Sequence, residues 1–144
     1  ARAQAIARKA DYENRKSRNE TNRANAELAL EVANLALRQY EDQEGGTFQI
    51  QFQNVAMNIE RNEAWLEIAD RDLRAVKFLK ELGYKTKADL QEMRLTAMQA
   101  QNAVRRSIAQ QKALLNYQYK RTKNELEGNV ESAERLLKLV DGNN

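Results

Sequence analysis

Neither histidine nor cysteine occurs among the 144 residues. The chain therefore lacks the commonest general base, the thiol nucleophile and the usual soft metal ligands. Chemistry would have to come from carboxylates, hydroxyls and aromatic rings. Carboxylates gather at Glu41, Asp42 and Glu44, and again at Asp70 and Asp72. Two carboxylates do acid–base work only where a pocket drives their proton affinities apart. The polar, heavily charged sequence around these groups promises no such pocket, so they read as solvated charges on helix faces and ends. No catalytic residue, metal site or cofactor is expected, and the chain reads as a non-enzyme. Trp65, Tyr117 and Tyr119 would suit base stacking if basic residues shared their face. They fall instead at helical spacing from apolar positions, where aromatics pack.

The sharpest constellation is Gly83-Tyr84-Lys85-Thr86, followed by Asp89. Gly83 supplies the positive φ that a helix requires just past its end. Thr86 with Asp89 three residues on forms a capping box, in which a hydroxyl and a carboxylate satisfy orphan N–H groups at a helix start. A stop and restart this close forces the flanking helices to lie antiparallel, side by side.

The elements that position this turn follow from composition and period. Proline is absent and glycine numbers five, while charged residues reach 31% and aromatics only 6%; such a mixture makes long solvated helices that meet along narrow seams. Apolar positions run Phe52, Val55, Ile59, Leu66, Ala69, Leu73 and Val76, with Asn62 as the one polar entry. After the turn the rhythm returns at Leu90, Met93, Ala97, Ala100, Val104, Gln111 and Leu115, with Ile108 and Leu114 alongside. These are heptad seams of coiled-coil type. The predicted fold is all-α, a long antiparallel two-helix coiled-coil hairpin, extended rather than globular. Its ascending arm covers 1–82, its tip 83–86 and its descending arm 87–141.

With the turn centred between Tyr84 and Lys85, facing residue numbers total roughly 169. Val76 then faces Met93, Leu73 faces Leu95 and Ala97, and Leu66 faces Val104. Gly45 and Gly46 face Lys123 and Asn124, a level at which both arms are polar and Gly128 lies close by. Two adjacent glycines cost about 2 kcal/mol of helix propensity, so a break, kink or bulge is expected there, with Thr47 capping the restart. The alternation Phe48-Gln49-Ile50-Gln51-Phe52 reads as that restart, since a lone strand has no partner. Further out, Leu28, Val32, Leu35 and Ala36 are expected to face Val130, Ala133, Leu136, Leu137 and Val140. Residue 144 would lie opposite Asn25. Ala1 to Asn25 then have no partner in this chain, although Ile6, Ala10, Ser17, Thr21 and Ala24 form a heptad-like row. If helical, that segment projects by ~36 Å. Asp141-Gly142-Asn143-Asn144 reads as a fraying end.

Charge narrows the partners. The 24 basic and 21 acidic residues, net +3, are interspersed, which suits solvated helix faces and not the basic stripe of a nucleic-acid or lipid surface. No apolar run approaches the ~20 residues of a membrane span, and the first residues carry no signal-peptide pattern. The expectation is no nucleic-acid partner and no direct membrane insertion.

The segment Leu73-Arg-Ala-Val-Lys-Phe-Leu79-Lys-Glu-Leu-Gly83-Tyr84-Lys-Thr86-Lys-Ala-Asp-Leu90 resembles the hairpin tip of the membrane fusion proteins, the HlyD-like periplasmic adaptors of bacterial tripartite efflux pumps and type I secretion systems. That family carries an arginine, a leucine four residues on and a serine seven beyond. In this sequence the leucine falls on Leu79, the hydroxyl on Thr86, and the arginine position on Ala75, a departure from the pattern that leaves Arg74 and Lys77 as neighbouring cations. The stretches from Ala26 to Glu41 and from Leu126 to Leu136 also look like the arms of such hairpins. The resemblance implies a hairpin cut from a larger adaptor, periplasmic and attached to the inner membrane through regions outside this chain. It implies docking on an outer-membrane duct protein through Leu79, Gly83, Tyr84 and Thr86, with Arg74 and Lys77 as tip support. It also implies contact with an inner-membrane transporter through the absent domains, and self-association of hairpins into a tube. The alternative is a generic antiparallel coiled-coil spacer or scaffold with no transport role.

Overall fold

The structure, a computed structural model, describes residues 1–142 and is all-α. Helix α1 spans Arg2–Glu41, α2 Thr47–Glu81, α3 Lys87–Ala113 and α4 Tyr119–Gly142, with a five-residue π turn, Leu114–Gln118, between α3 and α4. The chain divides into two compact units. One is Thr47–Lys120; the other comprises Ala1–Gly46 and the described residues from Arg121 on.

In the first unit, α2 and α3 form the expected antiparallel hairpin. Ala69, Ala97 and Ala100 make a buried cluster, with Leu66 and Leu73 packed against it. Alanine at the contact lets the helix backbones approach closely, and the leucines fill the flanks. Every seam position expected on α2, from Phe52 to Val76, is half-buried or buried. Asn62 makes a polar layer in that seam. Its amide donates to the Ser107 hydroxyl and, at 3.3 Å, to the Ala103 carbonyl, while Ser107 Oγ donates to the same carbonyl at 2.9 Å. Asn62 and Ser107 total 169, so the register expected from the tip holds here. Leu95, by contrast, is exposed and does not join Leu73. It falls one helical step outside the row of Met93, Ala97 and Ala100.

The π turn resets the seam of the descending arm. The Tyr119 N–H bonds the Leu114 carbonyl, five residues back, which adds one residue to the helical turn. Leu114 is buried, while Leu115, expected on the seam, is exposed. Tyr119 packs on Phe48 with ring centroids 4.5 Å apart, but Tyr117 projects into solvent rather than packing. The alternating segment around Ile50 is helical, as expected.

In the other unit α1 and α4 also run antiparallel, tied by Arg23–Asp141 at 3.2 Å and Glu41–Lys123 at 3.4 Å. These pairs total 164, not 169. On the ascending arm the five non-helical residues 42–46 separate this register from the other. The partnered stretch of α1 therefore reaches Arg23, and α4 continues to Gly142 with Asp141 in an ion pair, so those two residues are not a frayed end. Asn143 and Asn144 lie outside the described residues. The offset also changes which side chains meet. The faces turned inward carry Ala26, Leu30, Ala33, Leu37 and Tyr40 on α1, and Leu126, Val130, Ala133, Leu137 and Val140 on α4. Leu28, Val32, Leu35 and Leu136, expected at this interface, are exposed.

The break at the double glycine occurs as expected, with a distinct cause at each residue. Gly45 has φ +87°, the region that L side chains avoid. Gly46 is buried, and a Cβ there would lie 2.2 Å from the Asp42 carbonyl oxygen. That same carbonyl accepts from the Gly46 N–H at 3.1 Å, and Asp42 Oδ1 accepts from the Glu44 N–H at 2.8 Å. Thr47 is already the first residue of α2, one place too late to act as its cap. On the opposite arm α4 passes through Gly128 without interruption.

Candidate docking surface at the hairpin tip

The tip is closed by backbone geometry before any side chain contributes. Helix α2 ends at Glu81; the Tyr84 N–H then bonds the Leu79 carbonyl at 2.9 Å and the Gly83 N–H bonds the Lys80 carbonyl at 3.0 Å. This pair of crossed bonds is the Schellman motif, and it places Gly83 at the left-handed position, φ +86°. A Cβ on Gly83 would meet nothing within 4 Å, so the requirement for glycine there is conformational and not steric.

Two residues later the chain re-enters a helix through a complete capping box. The Asp89 N–H donates to Thr86 Oγ1 at 3.1 Å, and the Thr86 N–H donates to Asp89 Oδ2 at 2.9 Å. These bonds hold the Asp89 carboxyl below its usual range, the backbone N–H of Thr86 first and its side chain next, with nearby Lys85 adding to them. Each contact shows why this sequence turns here: glycine for φ, a hydroxyl for the cap, a carboxylate three residues on.

The predicted site residues divide into two groups on this frame. Leu79 is half-buried, and the 169 register brings it level with buried Leu90, so it belongs to the seam. The hydroxyl of Thr86 serves the cap. Tyr84 is 77% exposed at the apex. Arg74, Ala75 and Lys77 are exposed on α2. At about 100° per residue, Arg74 lies some 40° from Phe78 on the outer face, while Lys77 stands about 100° away.

Two tip residues escaped the sequence reading. Phe78 is 60% exposed and Leu82 55% exposed. They lie four residues apart, hence one above the other, Phe78 on the last turn of α2 and Leu82 just past its end, where its N–H still bonds the Phe78 carbonyl at 3.2 Å. With Tyr84 they are the exposed large apolar side chains of residues 78–84, and Arg74, Lys77 and Lys85 are exposed cations of the same stretch. The signal was in the sequence: Phe78 falls two places after Val76 and one before Leu79, off the seam row, where a large aromatic has no inward partner.

Elsewhere in this unit an open groove is lined by Trp65, Gln99, Asn102, Arg105 and Arg106. Its lining is polar and cationic, with no carboxylate to act with it. Among the described residues no cluster of potential metal ligands occurs, and no helix is long and apolar enough to cross a membrane. Comparisons with family models, curated proteins and solved structures find no match to this chain.

Proposed function

We propose that this chain is an assembly module, not an enzyme, whose hairpin presents a rigid tip to another protein. The observation that carries the reading is the exposed trio Phe78, Leu82 and Tyr84 beside a turn closed by both a Schellman motif and a capping box. Large apolar groups on a preorganised apex contribute binding energy with little ordering cost. The exposed cations Arg74, Lys77 and Lys85 favour a partner whose apolar contact is bordered by carboxylates.

In its specific form the proposal is the role implied by the tip resemblance. The hairpin is the stalk of a periplasmic adaptor, held at the inner membrane by other regions and by a transporter, and its tip meets the helical ends of an outer-membrane duct. Phe78, Leu82 and Tyr84 then carry the contact. Leu79 and Thr86 act through the fold, holding the seam and the cap. A spacer without transport role is favoured by one feature, that these two residues of the resemblance already have structural employment.

The test uses the full-length protein in its native host. Phe78→Asp and Tyr84→Asp alter exposed side chains and leave helicity and melting unchanged by circular dichroism. Site-specific cross-linking from Tyr84 is expected to capture an outer-membrane duct protein, and both variants are expected to abolish that capture together with export. Full assembly in the double variant would refute tip docking, and fractionation of the full-length protein to the cytosol would refute the adaptor reading.

A further inference from the structure

Helix α1 carries a second apolar face, and we propose that it pairs antiparallel with the same face of a second copy of this chain. The inward face of α1 is set by Ala26, Leu30, Ala33, Leu37 and Tyr40. At about 100° per residue, Leu28, Val32 and Leu35 stand roughly half a turn away from it, and they are 58%, 57% and 51% exposed. The same outer row continues toward the N-terminus through Ala24, Ala10 and Ile6, the last 68% exposed. What the sequence offered as a short heptad row is thus one stripe of some eight turns. It is apolar toward its two ends and carries the polar Ser17 and Thr21 between Ala10 and Ala24.

Charge selects the occupant and its direction. Residues 1–18 hold Arg2, Arg8, Lys9, Arg15, Lys16 and Arg18 against only Asp11 and Glu13, a formal +4. Residues 19–36 hold Glu20, Glu27 and Glu31 against only Arg23, a formal −2. A parallel copy would set basic half on basic half. An antiparallel copy sets each basic half on an acidic one, which is the complementarity that fixes partner and orientation in helical pairs.

The apolar stripe agrees with this choice. Centring the pair between Glu20 and Thr21 puts Ile6 level with the partner's Leu35 and Ala10 level with the partner's Glu31 and Val32. The small residues Ser17 and Ala24 then meet at the middle, where the backbones can approach. Lys9 and Lys16 lie on the same flank of the stripe as Glu27 and Glu31. In an antiparallel pair like flanks face each other, so Lys9 comes within a turn of the partner's Glu31 and Lys16 within a turn of the partner's Glu27.

The experiment uses the whole chain, which has no native cysteine to confuse labelling. Sedimentation velocity is expected to show a monomer–dimer equilibrium that weakens as salt rises. Leu28→Asp with Val32→Asp, both exposed, is expected to weaken it by roughly a hundredfold or more. Phe78→Ser with Leu82→Ser at the tip should leave it unchanged, which separates this surface from tip docking. Orientation is read with a short bismaleimide: Thr21→Cys should cross-link to its own kind, and Ala10→Cys should cross-link to Glu31→Cys when the two are mixed but not to itself. A chain that stays monomeric at about 100 µM, well above the dissociation constants of stable pairs, would overturn the proposal. So would dimerisation lost with the tip substitutions, or an Ala10→Cys homodimer in place of the mixed product.

Discussion

Gly83 and Gly46 sit at the two turns of the chain for opposite physical reasons, and substituting each with alanine separates those reasons. At Gly83 the φ of +86° penalises any L residue, yet a Cβ there finds open space. The expected penalty is therefore the left-handed term alone, ~1–2 kcal/mol, partly offset by ~0.4–1 kcal/mol from the stiffer unfolded chain. Gly83→Ala should destabilise by about 1 kcal/mol, and Gly83→Asn by less, because asparagine visits this region more readily. Gly46 carries no positive φ, but its Cβ would stand 2.2 Å from the Asp42 carbonyl oxygen and 2.8 Å from both the Asp42 nitrogen and the Gln39 carbonyl oxygen. These are backbone atoms, which cannot rotate aside. Gly46→Ala must then open the loop and lose the 3.1 Å bond between Gly46 N–H and the Asp42 carbonyl, about 1 kcal/mol for the bond with strain added to it.

The assay is urea unfolding followed by far-UV circular dichroism, with the midpoint and slope compared across the four variants. The expected order of stability is parent, Gly83→Asn, Gly83→Ala, Gly46→Ala, with Gly46→Asn no better than Gly46→Ala. The pattern across asparagine is the diagnostic part, since asparagine relieves a φ penalty and cannot relieve a collision. Equal rescue by asparagine at both glycines, or a Gly46→Ala milder than Gly83→Ala, would refute the assignment of cause.

The seam and the cap yield two further expectations. Asn62→Ala removes the amide that serves Ser107 and the Ala103 carbonyl, but Ser107 keeps its own bond to that carbonyl; a loss of about 1–2 kcal/mol in urea unfolding is expected. Asn62→Leu should come out near neutral or more stable, because an apolar residue in a heptad seam replaces a polar pair at no packing penalty, and a loss larger than that of Asn62→Ala would contradict the polar-layer reading. Asp89 has its folded-state pKa lowered by the Thr86 bonds, so its contribution is complete above the ordinary carboxylate pKa of ~3.9 and disappears as pH falls through the lowered value. The stability gap between the parent and Asp89→Ala should hold near pH 5 and shrink as pH falls below the ordinary carboxylate range, and a gap that widens on acidification would show the sign to be wrong.

The α2–α3 hairpin was legible because its signals are local and mutually consistent. Gly83, Thr86 and Asp89 name their own backbone roles, and counting outward from them finds the Asn62–Ser107 pair at the expected register. The α1–α4 pairing was misread because its register depends on how many residues the Gly45-Gly46 loop removes from the ladder, and periodicity contains no such count. A slip of five residues turns a helix by about 140° beyond a full turn, enough to move Leu28, Val32 and Leu35 from the expected interface to the outside. The π turn at Leu114–Gln118 escaped for a related reason. Its one additional residue falls between buried Leu114 and half-buried Tyr119, and a single extra residue leaves no mark in composition.

The distribution of large and small residues then argues for what the outer faces do. Among the described residues, six of the nine buried apolar side chains are alanine, at positions 26, 69, 97, 100, 103 and 133. Phe78, Leu82, Leu28, Val32 and Leu35 are all more than half exposed. A single domain maximising its own stability would do the reverse, since burying a leucine removes far more apolar surface from water than burying an alanine. Alanine seams instead let each pair of helices close tightly at low cost in surface, which leaves the bulky side chains outward. Some stand singly, as Met57 and Tyr117 do; others group, at the turn and along the outer face of α1. Substituting the outer leucines should therefore alter association far more than folding, whereas enlarging Ala69 or Ala100 should do the opposite.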